Sequence, residues 1–128
     1  KGIVVNGNPE YSQFVADDVS VNIKQQNLDL VKRGMYKVVN GDGSASHIKL
    51  SGIEIAGKTG TAQNPHGEDH ALFVAFAPYK DPQIAVAVIV ENAGFGSTHA
   101  APIAADVIKA YLDKDENSLA PALYTFKN

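Results

Sequence analysis

The pattern of apolar and polar positions first predicts a helix in the N-terminal third of the chain. Between residues 19 and 40, apolar side chains recur every three or four positions, which is the spacing of one face of an α-helix. Polar side chains fill the other positions, and Ser20 or Asn22 is the predicted N-cap. The predicted apolar face is formed by Leu28, Val31, Met35, Val38 and Val39.

Three later segments have the composition of β-strands. The first is Ile53–Ile55, where the two isoleucines point one way and Glu54 points the other. The other two are Ala71–Ala77 and Gln83–Val90, whose small and β-branched residues suit a sheet buried on both faces. Because the connections between the segments are short, we expect an antiparallel meander.

A second helix is predicted after the glycine-rich loop at residues 92–97, with Ser97 or Thr98 as its N-cap. The spacing of its larger apolar residues predicts one apolar face. That face is formed by Ile103, Val107, Ile108, Tyr111 and Leu112.

The two ends of the chain have weaker patterns. Residues 1–18 are expected to be rich in loops, with a strand fragment at Ile3–Val5 that stops at the turn signals of residues 6–9. Residues 113–128 are expected to be a tail. The predicted fold is therefore α+β: an antiparallel sheet of at least three strands, flanked by an N-terminal and a C-terminal helix.

Composition limits the classes of function. A chain of 128 residues is one domain at most. The net charge of -3 argues against a nucleic-acid partner. The sequence contains no cysteine, which excludes a disulfide framework, a thiolate metal site and a cysteine nucleophile. No apolar run approaches the roughly 18–20 residues needed to span a bilayer.

The candidate chemistry follows the first predicted strand. Gly57, Lys58, Thr59, Gly60 and Thr61 place a lysine and two hydroxyls between glycines. Glycine lets a ligand approach the backbone closely, lysine supplies a compact positive charge, and threonine hydroxyls donate and accept hydrogen bonds. At the end of a strand, this set suits an anionic or acyl substrate.

Four segments occur in an order that resembles a known family. They are Ile53–Gln63, Asp69–Pro78, Ile84–Asn92 and Ala100–Ala104. This series resembles the C-terminal part of the transpeptidase domain of class B penicillin-binding proteins, closest to the penicillin-binding protein 2 type. The resemblance implies part of a penicilloyl serine transferase, or β-lactamase-like, fold. It also implies that residues 1–128 are a C-terminal piece of that domain.

The resemblance implies a peptidoglycan D,D-transpeptidase that forms an acyl-serine intermediate, needs no cofactor and is the target of β-lactams. In that reading Lys58 supplies positive charge and proton-network contacts, and Thr59 donates to the substrate carboxylate. Gly60 completes the motif, and Thr61 offers its backbone N–H to the oxyanion hole. No metal is implied.

The nucleophile of this family is expected outside the chain. Ser46–Lys49 matches Ser-x-x-Lys by letter, and Ser20–Asn22 matches Ser-x-Asn. We reject both. Ser46 falls in a predicted turn twelve residues before Lys58, where its hydroxyl is not expected to fold back onto the site. Ser20 precedes Ser46, which is the wrong order for the two motifs, and it is a predicted helix cap. The isolated chain is therefore predicted to be inactive.

The resemblance also implies partners and a location. The whole protein would bind peptidoglycan stem peptides and β-lactams at the outer face of the bacterial inner membrane, in the periplasm. Because the chain begins with Lys1, we expect it to be a piece of a longer protein whose membrane anchor and upstream half of the domain lie elsewhere. Exposed core faces are expected to favour a non-native dimer.

Other interpretations stay open. His66 and His70 have the spacing of metal ligands on a helix, but Pro65 and Gly67 predict a turn there, so no metal site is expected. His70 is expected to begin a strand at the edge of the site. The chain could belong to a serine β-lactamase or β-lactam sensor of the same superfamily. It could also be a non-catalytic binding or assembly module.

Overall fold

A computed structural model describes residues 2–5, 8–11 and 22–113. A two-stranded hairpin precedes a helix, a three-stranded sheet and a second helix, which confirms the predicted α+β order. A short 3₁₀ turn at Ser46–Ile48 lies between the first helix and the sheet. The elements are β1 (Gly2–Val5), β2 (Asn8–Tyr11), α1 (Gln25–Asn40), β3 (Ala56–Ala62), β4 (His70–Ala77), β5 (Ile84–Val90) and α2 (Gly96–Leu112).

The sheet is an antiparallel meander in the order β3–β4–β5, as predicted. One face of β4 is buried throughout, because alternate side chains of a strand point to the same face. Helix α2 packs on this face with small residues, and its larger apolar residues Ile103, Val107 and Tyr111 are 44–48% exposed. The core here consists of Ala71, Phe73, Ala75 and Ala77 from β4, and Ala100, Ala101, Ala104, Ala105 and Ile108 from α2.

The predicted buried face of α2 is therefore largely wrong. Of the five residues predicted, Ile108 is fully buried and Leu112 packs against the core from a partly buried position. Paired alanines face the sheet instead, because small side chains let the helix axis approach the strands closely. The predicted caps are also wrong: the N-cap is Phe95, and Ser97 and Thr98 lie inside the helix.

The opposite face of the sheet is open in the described part of the chain. Val74 of β4 is 46% exposed and Ile89 of β5 is 66% exposed. The prediction of a sheet covered on both faces is not met by these residues. A pattern of small and β-branched residues gives the tendency to be buried, but it does not supply the covering element.

Helix α1 packs against β3 by its C-terminal half only. Val39 is fully buried, whereas Leu28 and Val31 of the same predicted face are 37% and 59% exposed. The Asn40 side-chain amide donates to the Ile55 carbonyl at 2.7 Å, and this contact ties the end of the helix to the start of β3. The N-cap is Lys24.

Three predicted boundaries are corrected. Asn22 lies two residues before the N-cap Lys24 and does not cap the helix, and Ser20 lies outside the described residues. Asn8 and Pro9 belong to β2 and not to a turn, since proline is tolerated at the edge of a two-stranded sheet. Strand β3 begins at Ala56, after Ile53–Ile55, so the glycine-rich motif lies inside the strand.

Within residues 22–113 and the β1–β2 hairpin, none of the helices has both the length and the apolar character that crossing a bilayer requires.

Two helical glycines lie in opposite environments, and this difference can be tested. A Cβ atom at Gly96 would collide with the backbone oxygens of Leu72 and Gly60, whereas no described atom lies within 4 Å of a Cβ at Gly34. We expect Gly96→Ala to lower the free energy of unfolding by about 1–3 kcal/mol. Gly34→Ala should raise it by up to about 1 kcal/mol, since alanine is the better helix former. Thermal and urea denaturation measure both, and equal effects would contradict the close approach of α2.

Candidate active site

Strand β3 presents the Lys-Thr-Gly residues on an edge of the sheet. Among the described residues it pairs only with β4, with Lys58 opposite Val74 and Thr59 opposite Phe73. Successive side chains of a strand alternate, so Lys58 and Thr59 point to opposite faces. Lys58 is exposed, and its ammonium donates to the carbonyl oxygen of Thr59 at 2.7 Å.

The outer edge of β3 offers free backbone groups. The contact from Lys58 indicates that the Thr59 carbonyl faces this edge and not β4. Backbone groups of residues two apart in a strand point the same way, so the N–H of Thr61 faces the outer edge as well. The motif therefore combines an ammonium and an available amide at the outer edge of β3 with the hydroxyl of Thr59 on one face of the strand.

The hydroxyl of Thr59 has a partner that the sequence does not predict. Ser44 Oγ lies 3.0 Å from Thr59 Oγ1, and either atom can donate. Ser44 belongs to the turn that follows α1, so this turn does fold back onto β3. Ser46 itself lies in the 3₁₀ turn at Ser46–Ile48 and makes no side-chain hydrogen bond with the motif among the described residues, so the hydroxyl that reaches the motif is that of the nearby Ser44 and not that of Ser46.

The turn that carries Ser44 is stabilised by a backbone hydrogen bond and by close packing against α1. The Ala45 N–H donates to the Val38 carbonyl at 3.1 Å, and the Ala45 side chain is fully buried. A side chain at Gly43 would collide with the backbone of Val38, so glycine is required there. His47 Nε2 lies 2.9 Å from the Ser97 carbonyl oxygen and joins the turn to the start of α2.

Glycine is also required at the start of the motif. A Cβ atom at Gly57 would collide with the ring of Phe73, the largest fully buried side chain in the described core. The ring therefore occupies the space that a side chain at position 57 would need, and it sets the distance between β3 and the core.

Two loops are joined beyond the end of β3. The Asp69 carbonyl oxygen accepts from the N–H groups of Ala93 and Gly94 at 3.0 and 2.7 Å, and the Asn92 N–H donates to His70 Nδ1 at 3.1 Å. The Asn64 side-chain amide donates to Asn92 Oδ1. These bonds connect the β3–β4 loop to the β5–α2 loop. They show His70 and Asn92 supporting the edge of the site.

Tyr36 fixes the residues that lead into β3. Its hydroxyl donates to Glu54 Oε1 at 3.0 Å, and the Tyr79 N–H donates to the Glu54 carbonyl at 2.8 Å. The hydrogen bond to the Glu54 carboxylate raises the pKa of the Tyr36 phenol, because it stabilises the protonated form. This network lies before the motif and has a structural role.

No group of three or more histidine, cysteine or carboxylate side chains that could hold a metal ion occurs among residues 22–113. The structure brings Lys58, Thr59, Gly60 and Thr61 together with Ser44 on one strand edge. A cation, two hydroxyls and a free amide can bind a carboxylate and stabilise a developing oxyanion. They do not include an activated nucleophile.

The chain belongs to the family described as the penicillin-binding protein transpeptidase domain, whose model matches residues 3–109. Within it, the chain is of the penicillin-binding protein 2 type. It is 42% identical over 104 residues to peptidoglycan D,D-transpeptidase MrdA of Haemophilus influenzae, covering 67% of this chain and 16% of that protein. It is also 36% identical over 115 residues to MrdA of Escherichia coli K12, covering 73% of this chain and 17% of that protein.

Solved structures agree with the fold. Pseudomonas aeruginosa PBP2, crystallised in complex with WCK 5153, is 45% identical, with a TM-score of 0.68 over 86% of this chain and 25% of that one. Penicillin-binding protein A of Mycobacterium tuberculosis, in a ceftriaxone acyl-enzyme complex, is 35% identical, with a TM-score of 0.60 over 68% of this chain and 21% of that one. The described elements are thus the sheet-and-helix part of the penicilloyl serine transferase fold.

The junction of the two loops can be tested at Asn92, which has a φ of 53°. We expect Asn92→Gly to cost about 1 kcal/mol of stability, since it removes the hydrogen bond from Asn64 but tolerates the left-handed backbone. Asn92→Ala should cost about 1–2 kcal/mol more, because alanine has a Cβ in that conformation. Urea denaturation of both variants measures the difference. A glycine variant that is less stable than the alanine variant would contradict the left-handed backbone conformation of Asn92.

Proposed function

We propose that the protein containing this chain is a peptidoglycan D,D-transpeptidase, and that residues 1–128 form the C-terminal part of its catalytic domain. The observation that carries the proposal is the position of Lys58–Thr61 on the outer edge of β3, with the ammonium, the hydroxyl and the amide all available to a ligand. The names of the curated relatives support the same reaction.

Each motif residue has a proposed role in acyl transfer. Lys58 supplies a positive field for the substrate carboxylate and for the proton network around the nucleophile. Thr59 donates its hydroxyl to that carboxylate. The Thr61 N–H stabilises the oxyanion that forms when a serine attacks the acyl carbon, and such a donor is typically worth about 2.7–4 kcal/mol in the transition state. Gly60 has no side chain, so substrate can approach the strand closely between the two threonines.

The attacking serine is supplied by polypeptide outside this chain. The described residues span one edge of a site, and the chain covers 16% of the length of the Haemophilus influenzae relative. We propose that the missing polypeptide covers the open face of the sheet near Val74 and Ile89 and places the nucleophile opposite Thr61. The dimer expected of the isolated chain stays a prediction.

The proposed substrates are peptidoglycan stem peptides, and β-lactams acylate the same serine. The relatives solved as β-lactam acyl-enzymes support this choice. A Helicobacter pylori PBP2 at a TM-score of 0.59 was solved as a complex with MreC, so an assembly partner is a reasonable expectation for the whole protein. We place that protein at the outer face of the inner membrane, where its substrate is made available.

The role of Lys58 can be tested in the full-length protein by labelling with a fluorescent penicillin. We expect Lys58→Ala to slow acylation by about 10²-fold or more, since it removes a preorganised cation from the site. Lys49→Ala is the matched control: it removes an exposed lysine nine residues earlier and should leave labelling unchanged. Normal labelling of the Lys58→Ala protein would favour a non-catalytic module. Rapid release of the label by the wild type would favour a β-lactamase.

The isolated 128-residue chain tests the location of the nucleophile. Because neither Ser46 nor any other described serine is paired with a base in an acyl-transfer arrangement, we expect no mass increase when the chain is incubated with benzylpenicillin. Intact-protein mass spectrometry measures the result, with the full-length protein as the positive control. A covalent adduct that disappears in a Ser46→Ala chain would show that the letter match at Ser46–Lys49 is a true site.

A further inference from the structure

The contact between Ser44 and Thr59 has no role in the proposal above. Ser44 is exposed, so its hydroxyl is not needed to satisfy a buried polar group. It nevertheless lies 3.0 Å from the Thr59 hydroxyl, which is proposed to donate a hydrogen bond to the substrate carboxylate. A solvent-exposed hydrogen bond between the hydroxyls of Ser44 and the half-buried Thr59 adds little stability in water, so a role in the site is the better explanation.

The turn around Ser44 keeps this hydroxyl in place. The residues on both sides are fixed: Gly43 fits closely against the Val38 backbone, and Ala45 is fully buried and hydrogen-bonded to Val38. The following turn is closed by bonds from the Ser46 N–H to the Gly43 carbonyl and from the Ile48 N–H to the Ala45 carbonyl, each at 3.1 Å. The Ser44 side chain therefore leaves a rigid backbone.

We propose that Ser44 is a positioning residue for Thr59: it holds the Thr59 oxygen so that the Thr59 proton points at the carboxylate of the substrate. This inference rests on the proposed function. A hydroxyl has one proton and can also accept, so only one proton can lie between Ser44 and Thr59. A carboxylate only accepts, and it is the stronger acceptor.

With substrate bound, the direction of both hydrogen bonds is then determined. Thr59 donates to the carboxylate, and Ser44 donates to Thr59. In such a chain each bond polarises the next, so the Thr59 hydroxyl becomes a better donor than it would be alone. Without Ser44, the Thr59 hydroxyl is free to turn toward water. The effect of Ser44 should therefore depend on the negative charge of the ligand.

Acylation kinetics of the full-length protein test this dependence with benzylpenicillin and its uncharged methyl ester. We expect Ser44→Ala to slow acylation by benzylpenicillin about threefold to tenfold, the effect of one hydrogen bond. Acylation by the methyl ester should change by less than about twofold, because the ester lacks the negative charge on which the effect of Ser44 depends. Ser44→Thr keeps a hydroxyl and should retain most of the rate. Ser46→Ala, in the same turn, is the control and should match the wild type.

A second comparison separates positioning from a general effect on the turn. Thr59→Val removes the hydroxyl on which Ser44 acts, so adding Ser44→Ala to that variant should cause no further loss. An additive loss, or an equal loss with the acid and the ester, would overturn the proposal. So would an unchanged rate for Ser44→Ala with benzylpenicillin. The melting temperature of each variant should stay at the wild-type value, because Ser44 is exposed.

The experiment distinguishes failure of this inference from failure of the proposed function. If the wild type is not acylated, or if Thr59→Val and Lys58→Ala have no effect, the transpeptidase assignment of the site fails and this inference fails with it. If those variants are slow but Ser44→Ala is not, only the role of Ser44 is wrong.

Discussion

The close contact between the start of α2 and the sheet is the constraint on which the site depends. Gly96 lies directly against the backbone oxygens of Gly60 and Leu72, which are paired across β3 and β4. Gly60 is part of the motif, so the packing of α2 sets the position of the motif. Alanines continue this close approach along the helix. The active-site edge is therefore supported by a well-packed helix–sheet layer and not by a loop, which suits a site that must be preorganised.

Short polar contacts then fix both ends of the edge strand. Before the motif, Asn40 and Tyr36 tie α1 to the residues leading into β3. After it, Asp69 and Asn92 join two loops. Apart from the pair of Tyr36 and Glu54, each of these contacts uses a backbone group or a short asparagine side chain, so little conformational freedom remains. Chemistry that needs a hydroxyl and an amide at fixed positions gains from such a frame, because misplacement of a catalytic group by even about 1 Å is costly.

The sequence predicted the elements well and their contacts less well. Sequence alone predicts the order of helices and strands, the meander and the Lys58–Thr61 motif, because hydrophobic periodicity and a glycine-bounded motif are local signals. The buried face of α2 was not, since size suggested Ile103 and Val107, whereas packing required alanine. The pairs Ala100–Ala101 and Ala104–Ala105 carried the missing signal. The sequence predicts the motif after the strand and not within it, because the glycines of the motif resemble those of a turn.

The contact of Ser44 with Thr59 could not be predicted from spacing alone. It depends on a turn that reverses the chain after α1, and this reversal is set by the fit of Gly43 against Val38. A Gly-Ser-Ala turn before a strand gives only a weak indication of that geometry. Contacts between residues fifteen positions apart on irregular backbone arise from tertiary packing, and they are accessible only from a structure.

The central claim is that β3 binds the substrate carboxylate at Thr59 while a serine from outside the chain is acylated. A crystal structure of the complete transpeptidase domain acylated by benzylpenicillin tests it most directly. We expect the carboxylate of the bound drug to lie within about 3 Å of Thr59 Oγ1, with the acyl oxygen facing the Thr61 N–H. Density for the drug on a serine remote from β3, with Thr59 facing solvent, would contradict it.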